Sequence, residues 1–157
     1  MYRKLKGFTL VELIVVIAII GVLAAILVPS MMGYVKSSRL KTANSNAKLC
    51  YTTAATYCAD QETQGKSVDY SNSFSCVSAG AAEGSKDTGV EDSVKKALSD
   101  NGDAAGIAYL NIEKNSVKGA QWHKTADDKI VGQYPNPSED ADKCPTFGTI
   151  GSGSSDK

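Results

Sequence analysis

The sequence predicts a two-layer α+β fold: a long N-terminal helix over residues 8–58, packed on a three- to four-stranded antiparallel sheet. Three observations carry that reading. An apolar run opens the chain from Phe8 to Val28. Beyond it a stripe of mostly small side chains, Leu40, Ala43, Ala47, Cys50, Ala54 and Tyr57, recurs with the three-four spacing of one helix face. Late in the chain three short apolar runs, residues 107–112, 117–123 and 129–134, are separated by Lys114-Asn115-Ser116 and by residues 125–128, as in an antiparallel meander.

The opening run carries no charge from Leu13 to Val28. At ~1.5 Å per helical residue, its roughly twenty residues span a bilayer core of about 30 Å. Arg3, Lys4 and Lys6 precede it without any acid, which predicts a cytoplasmic N-terminus and an external remainder. A cleaved secretory signal is the competing reading, but the run ends in Val28-Pro29-Ser30 and no small-residue cleavage site follows. Glu12, near the start of the run, stands out. A carboxylate in a membrane helix costs about 2 to 3 kcal/mol at the bilayer centre unless it snorkels, is protonated or finds a cation. Pro29 removes a hydrogen bond to the Ala25 carbonyl, and Gly21 and Gly33 flank it, so a kink or a locally melted stretch is expected there.

The helix is expected to continue over residues 29–58. A connecting loop, residues 59–106, is rich in Ser, Gly, Ala and acids, with one short helix from Gly89 to Ser99. Thr88 would cap that helix with Glu91 three residues on, and Asn101-Gly102 would end it. The meander occupies residues 107–134. Residues 135–150 form an irregular region that Cys144 would tether, and residues 151–157 a mobile tail.

Charge is segregated behind a formal net value of zero. Residues 29–58 hold Lys36, Arg39, Lys41 and Lys48 without an acid, while residues 59–157 hold ten lysines against sixteen acids. An acidic distal part excludes a nucleic-acid-binding domain, which needs a clustered basic face. Cys50, Cys58, Cys76 and Cys144 lack C-x-x-C spacing and His123 is the single histidine, so zinc is not expected. Disulfides in an oxidising compartment are. Cys50 and Cys58 are separated by about 12 Å of helix and cannot bond to each other, which leaves two connectivities open. Because Cys76 lies in the loop leaving the helix, Cys58–Cys76 with Cys50–Cys144 is the favoured one.

No persuasive Ser-His-Asp order surrounds His123, and Gly151-Ser152-Gly153 follows no strand-to-helix turn, so neither an enzyme nor a phosphate-binding loop is expected. Glu139, Asp140 and Asp142 are a candidate calcium cluster. The EF-hand pattern is absent, and a solvated acidic loop is the preferred reading.

Lys6-Gly7-Phe8-Thr9-Leu10-Val11-Glu12-Leu13, followed by the apolar run, resembles the class III signal of type IV prepilins and pseudopilins. The resemblance implies a leader of residues 1–7, cleaved between Gly7 and Phe8 by a prepilin peptidase that also N-methylates Phe8. It implies a transmembrane and filament-core helix over residues 8–28 and an extracellular pilin domain over residues 29–157. Glu12 would pair with the Phe8 ammonium of a neighbouring copy in a helical homopolymer, and the region of Pro29 would loosen as copies pack. An assembly ATPase and a membrane platform protein are the implied partners, and no cofactor is implied. The expected function is a structural subunit of a surface filament supporting adhesion, motility or DNA uptake. Alternatives are a pseudopilin of a type II secretion or competence system, in which a calcium site in the acidic region is common, and a minor tip adhesin. A secreted enzyme behind an ordinary signal is the reading outside this class, and it predicts a mature terminus near residue 30.

Overall fold

The computed structural model describes residues 8–76, 88–102 and 105–150. The expected leader with Gly7, the expected tail of residues 151–157 and the Thr88 side chain lie outside them. The elements in chain order are α1 (Leu10–Thr63), β1 (Tyr70–Ser75), α2 (Thr88–Asp100), β2 (Ile107–Glu113), β3 (Ser116–His123) and β4 (Gly132–Tyr134). The chain divides between residues 36 and 37 into two units.

In the first unit α1 is uncharged between Glu12 and Lys36, and its apolar residues from Leu10 to Val35 are exposed on every side. A helix that is hydrophobic all round is one made for lipid or for other helices. Gly21, Pro29 and Gly33 all lie within this one helix. Loss of the single bond from position 29 is local, and the turns on either side keep their own ladders.

In the second unit the C-terminal part of α1 buries Leu40, Ala43, Asn46, Ala47, Cys50, Ala54 and Cys58. This is the expected stripe, with Cys58 in the place given to Tyr57. The helix runs five residues further than expected, to Thr63, and ends in a Schellman motif. Lys66 N–H donates to Gln61 O (3.0 Å) and Gly65 N–H to Glu62 O (2.9 Å), with Gly65 at φ +70°. Four strands in the order β1-β2-β3-β4, each antiparallel to the next, form one sheet. Its inner face presents Tyr70 and Phe74 of β1, Ala108, Leu110 and Ile112 of β2, and Ala120 and Trp122 of β3 to the α1 stripe. Val90, Val94 and Leu98 of α2 join the same core. The β2–β3 turn at Lys114 (φ 48°) and Asn115 (φ 62°) is the left-handed pair of a two-residue hairpin. Asn115 Oδ1 accepts from Val68 N–H (2.6 Å) and its Nδ2 donates to Lys66 O (3.0 Å), which ties the hairpin tip to the segment leaving α1.

Two contacts fix the far edge. A β-carbon at Gly132 would overlap the Ala43 backbone, so β4 lies directly against α1. Beside it Asn44 accepts from Gln133 N–H (3.1 Å) and donates to Ser138 O (2.8 Å). The outer sheet face is covered by residues 144–150. Buried Gln121 accepts from Gly148 N–H (2.7 Å) and donates to Thr146 O (3.2 Å), Phe147 stacks on His123 at 3.9 Å, and Ile150 fills the space over Gly119. This region was expected to hang on Cys144. A buried amide and an aromatic stack hold it instead.

Candidate assembly site on the N-terminal helix

The start of α1 is built by a reciprocal cap. Thr9 is the N-cap, and its carbonyl accepts the first helical bond from Leu13 N–H (3.2 Å). Its Oγ1 accepts from Glu12 N–H (3.3 Å), while Glu12 Oε2 accepts from Thr9 N–H (2.8 Å) and Thr9 Oγ1–H (2.7 Å). Thr9-Leu10-Val11-Glu12 is thus a capping box, with a carboxylate also placed at the positive end of the helix. The Thr9 N–H and hydroxyl both bond the carboxylate at Oε2, on an exposed turn. Phe8, one residue before the cap, is 92% exposed. The arrangement fixes the Glu12 carboxylate against its own helix terminus without consuming all of its acceptor capacity. Thr9 was not singled out from the sequence, although the T-x-x-E signal that marked Thr88 and Glu91 stands here too.

At the second such pattern Glu91 does something else. It is buried, and accepts from Tyr70 O–H at 2.7 Å with Lys95 Nζ at 3.5 Å, which joins α2 to β1. Burial, and then the Glu91 carboxylate, push the Tyr70 hydroxyl well above its ordinary range.

Cys50, Cys76 and Cys144 are free thiols, so neither favoured bridge, Cys58–Cys76 or Cys50–Cys144, is closed. Cys144 Sγ turns into its own loop, 3.5 Å from Ala141 O. Cys50 and Cys76 are both buried in the core. Burial raises the Cys50 thiol, and the neighbouring Cys76 raises it further. Burial also pushes Cys76 up to about 11, against the opposing pull of the Ala108 backbone, Lys95 and the Trp122 indole.

The acidic loop gathers no ligand set. Asp140 Oδ1 accepts from Asp142 N–H (3.0 Å), its Oδ2 lies 3.9 Å from Lys143 Nζ, and Asp128 is paired with Arg39 at 2.7 Å. Among the described residues no group of three His, Cys, Asp or Glu side chains is placed to hold a metal. His123, 4% exposed, has no hydrogen-bond partner at either ring nitrogen and is packed rather than presented to a cleft. The charged opening among Ser38, Arg39, Thr42, Lys124 and Asp128, about 190 Å³, has its Arg39–Asp128 pair already closed.

Residues 2–28 match the family described as the prokaryotic N-terminal methylation motif. The N-terminal segment is thus similar to that of type IV pilins. Among similar curated proteins, the type IV major pilin protein PilA of Myxococcus xanthus is 39% identical over 57 residues, 36% of this chain and 26% of its own length. A type IV major fimbrial protein, FimA, of Dichelobacter nodosus is 39% identical over 61 residues, 39% of each chain. Fimbrial protein Q of Moraxella bovis is 59% identical over 34 residues, 22% of each. The chain therefore spans between about a fifth and two-fifths of the length of these relatives. No solved structure matches. The long helix and open four-stranded antiparallel sheet form an α+β pilin-like fold.

Proposed function

We propose that this chain is the precursor of a structural subunit of a type IV pilus-like surface filament. It is held in the membrane by residues 8–28, cut between Gly7 and Phe8, methylated at Phe8 and polymerised through its N-terminal helix. The observation that carries this reading is the lone carboxylate of Glu12, poised on the first turn of a helix with no other charge before Lys36. Such a group gains from meeting a cation in a poorly hydrated site. Cleavage creates one, at the terminus of Phe8. Glu12 Oε2 can keep its contacts to Thr9 while Oε1 accepts from the ammonium of a neighbouring copy, so capping and assembly use different oxygens of one group.

The partners implied are further copies of this chain, a prepilin peptidase, an assembly ATPase and a membrane platform protein. Adhesion, motility or DNA uptake would belong to the assembled fibre. The test is mass spectrometry of the main band in sheared surface fibres. The expected subunit begins at N-methylated Phe8. A product beginning at Met1, or near residue 30, would overturn the reading.

A further inference from the structure

Two buried cysteines, one within α1 and one just past β1, belong to the same core of the second unit. Cys50 lies on the α1 stripe between Ala47 and Ala54, with none of its surface exposed, and Cys76 directly follows β1 and is 1% exposed. Alternation along β1 puts Tyr70, Phe74 and Cys76 on the inner face, the one that packs on that stripe. Cys76 N–H donates to Gly106 O at 2.8 Å, which extends the pairing of β1 with β2 by one step and holds the residue in register. Gly106 packs on the Trp122 indole so closely that a β-carbon would overlap it. Trp122 also lines the opening beside Thr42 and Ala43 of α1, which sets the Cys76 end of the sheet towards Cys50 rather than towards the end of the helix. Cys144 is excluded from this pair, because its sulfur is directed at the carbonyls of its own turn.

We propose that Cys50 and Cys76 form a disulfide that staples the assembly helix to edge strand β1, in place of the pairing that sequence order favours. Eight residues of helix separate Cys58 from Cys50, so only one of the two can stand opposite Cys76. Both lie on the buried stripe, and Cys50 is the nearer along the helix to Ala43, which shares an opening with Trp122.

The chemistry balances with one named co-reactant, the disulfide of a thiol–disulfide oxidoreductase. A Cys76 thiolate attacks that disulfide, forms a mixed disulfide and releases one thiolate of the oxidant. The Cys50 thiolate then attacks Cys76 Sγ, forms the Sγ–Sγ bond and expels the second. The pair loses two protons and two electrons, and the oxidant ends as a dithiol. Burial disfavours both thiolates in the folded unit, so oxidation precedes closure of α1 on the sheet. The bond then closes the ring of residues 50–76 and joins the segment leaving α1 to the core from both ends.

This inference takes from the proposed function only that the second unit folds in an oxidising compartment. Full-length chain isolated from membranes or fibres is denatured without reductant, alkylated, and digested with trypsin and chymotrypsin together. Cleavage after Lys48, Tyr51 and Tyr57 separates Cys50 from Cys58, which trypsin alone leaves on one peptide. The expected result is a cystine peptide joining residues 49–51 to the Cys76 segment, lost on reduction. Cys50 or Cys76 recovered alkylated without reductant, or joined to Cys58 or Cys144, overturns the staple. The same digest reads the mature terminus, so a chain that begins at Phe8 but lacks this cystine refutes the staple and leaves the filament reading standing. Because Cys50→Ala fills the site with a residue the stripe already uses, it is expected to fold and to leave Cys76 alkylatable after denaturation. A bridged Cys76 in that variant also refutes the proposal.

Discussion

The Glu12 carboxylate caps its own helix with Thr9 and, in the proposed filament, meets a neighbouring cation, and substitutions can part the two. Glu12→Gln keeps a side-chain oxygen for Thr9 N–H and so preserves most of the cap, but removes the charge. Glu12→Ala removes both. A charge-assisted contact is worth about 1.5 kcal/mol more than none, roughly tenfold in the affinity of each subunit for the growing end. Filament yield is therefore expected to fall at least about tenfold in both variants, with leader cleavage near normal, as read by immunoblot of sheared and cell-bound fractions. Wild-type yield from Glu12→Gln would mean that the cap, not the charge, matters, and the pairing reading would be lost. Thr9→Val removes the capping hydroxyl, which costs about 1 kcal/mol of helix start. It is expected to give an intermediate yield, because the Glu12 carboxylate then keeps its charge and the Thr9 N–H contact but loses the hydroxyl.

At the scale of elements, the tightest constraint is where β4 meets α1. Gly132→Ala would drive a methyl group into the Ala43 backbone, which cannot rotate away as a side chain would. Overpacking of this kind costs about 1 to 3 kcal/mol. The expected readout is a lower urea midpoint and faster amide exchange at residues 132–134, whereas alanine at Gly21, which has open space around it, should leave the second unit unchanged. The helix, its inward stripe, α2 and the meander were legible because each buries apolar residues with a clear period. β1 was not. Tyr-Ser-Asn-Ser-Phe-Ser is a polar edge strand whose two inward aromatics are separated by three residues, and a serine-rich stretch reads as loop until Ile107–Glu113 is seen to pair with it. The C-terminus of α1 was placed too early because the stripe fades at Cys58, although Gln64-Gly65 signalled the true end. Of the candidate assembly site, Phe8 and Glu12 are legible from their spacing and from the resemblance that spacing supports. The Thr9 cap carries a local T-x-x-E signal, and the burial of Cys76 depends on strand β1, whose polar sequence reads as loop.

The molecule as a whole divides its chemistry: an uncharged helix segment made for lipid and neighbouring helices, and a second unit whose outer sheet face closes under its own C-terminal segment. That closure rests on an ionisable group. His123, the last residue of β3, is buried under Phe147 with no side-chain partner at either ring nitrogen, so desolvation lowers its pKa from the ordinary histidine value, opposed by the backbone and charge of Asp128. Asp128 is itself engaged by Arg39, which limits how far it can favour an imidazolium. The folded unit prefers the neutral ring, and the unfolded chain titrates near 6.5. The stability this difference supplies is fully present above the unfolded value and is lost as pH falls below it towards the folded one, with a slope of at most about 1.4 kcal/mol per pH unit from this single group. His123→Phe keeps a ring against Phe147 and removes the titration. Urea denaturation followed by Trp122 fluorescence, between pH 7.5 and pH 5, is expected to show the wild-type midpoint falling and that of His123→Phe falling less. Equal slopes in the two proteins would show that the carboxylates of the acidic unit, not this histidine, govern its acid sensitivity. A charged ring must either displace Phe147 or draw in water. Exchange at Gly148 N–H, held by Gln121, is therefore expected to rise in acid together with the loss of stability, and before the core strands open.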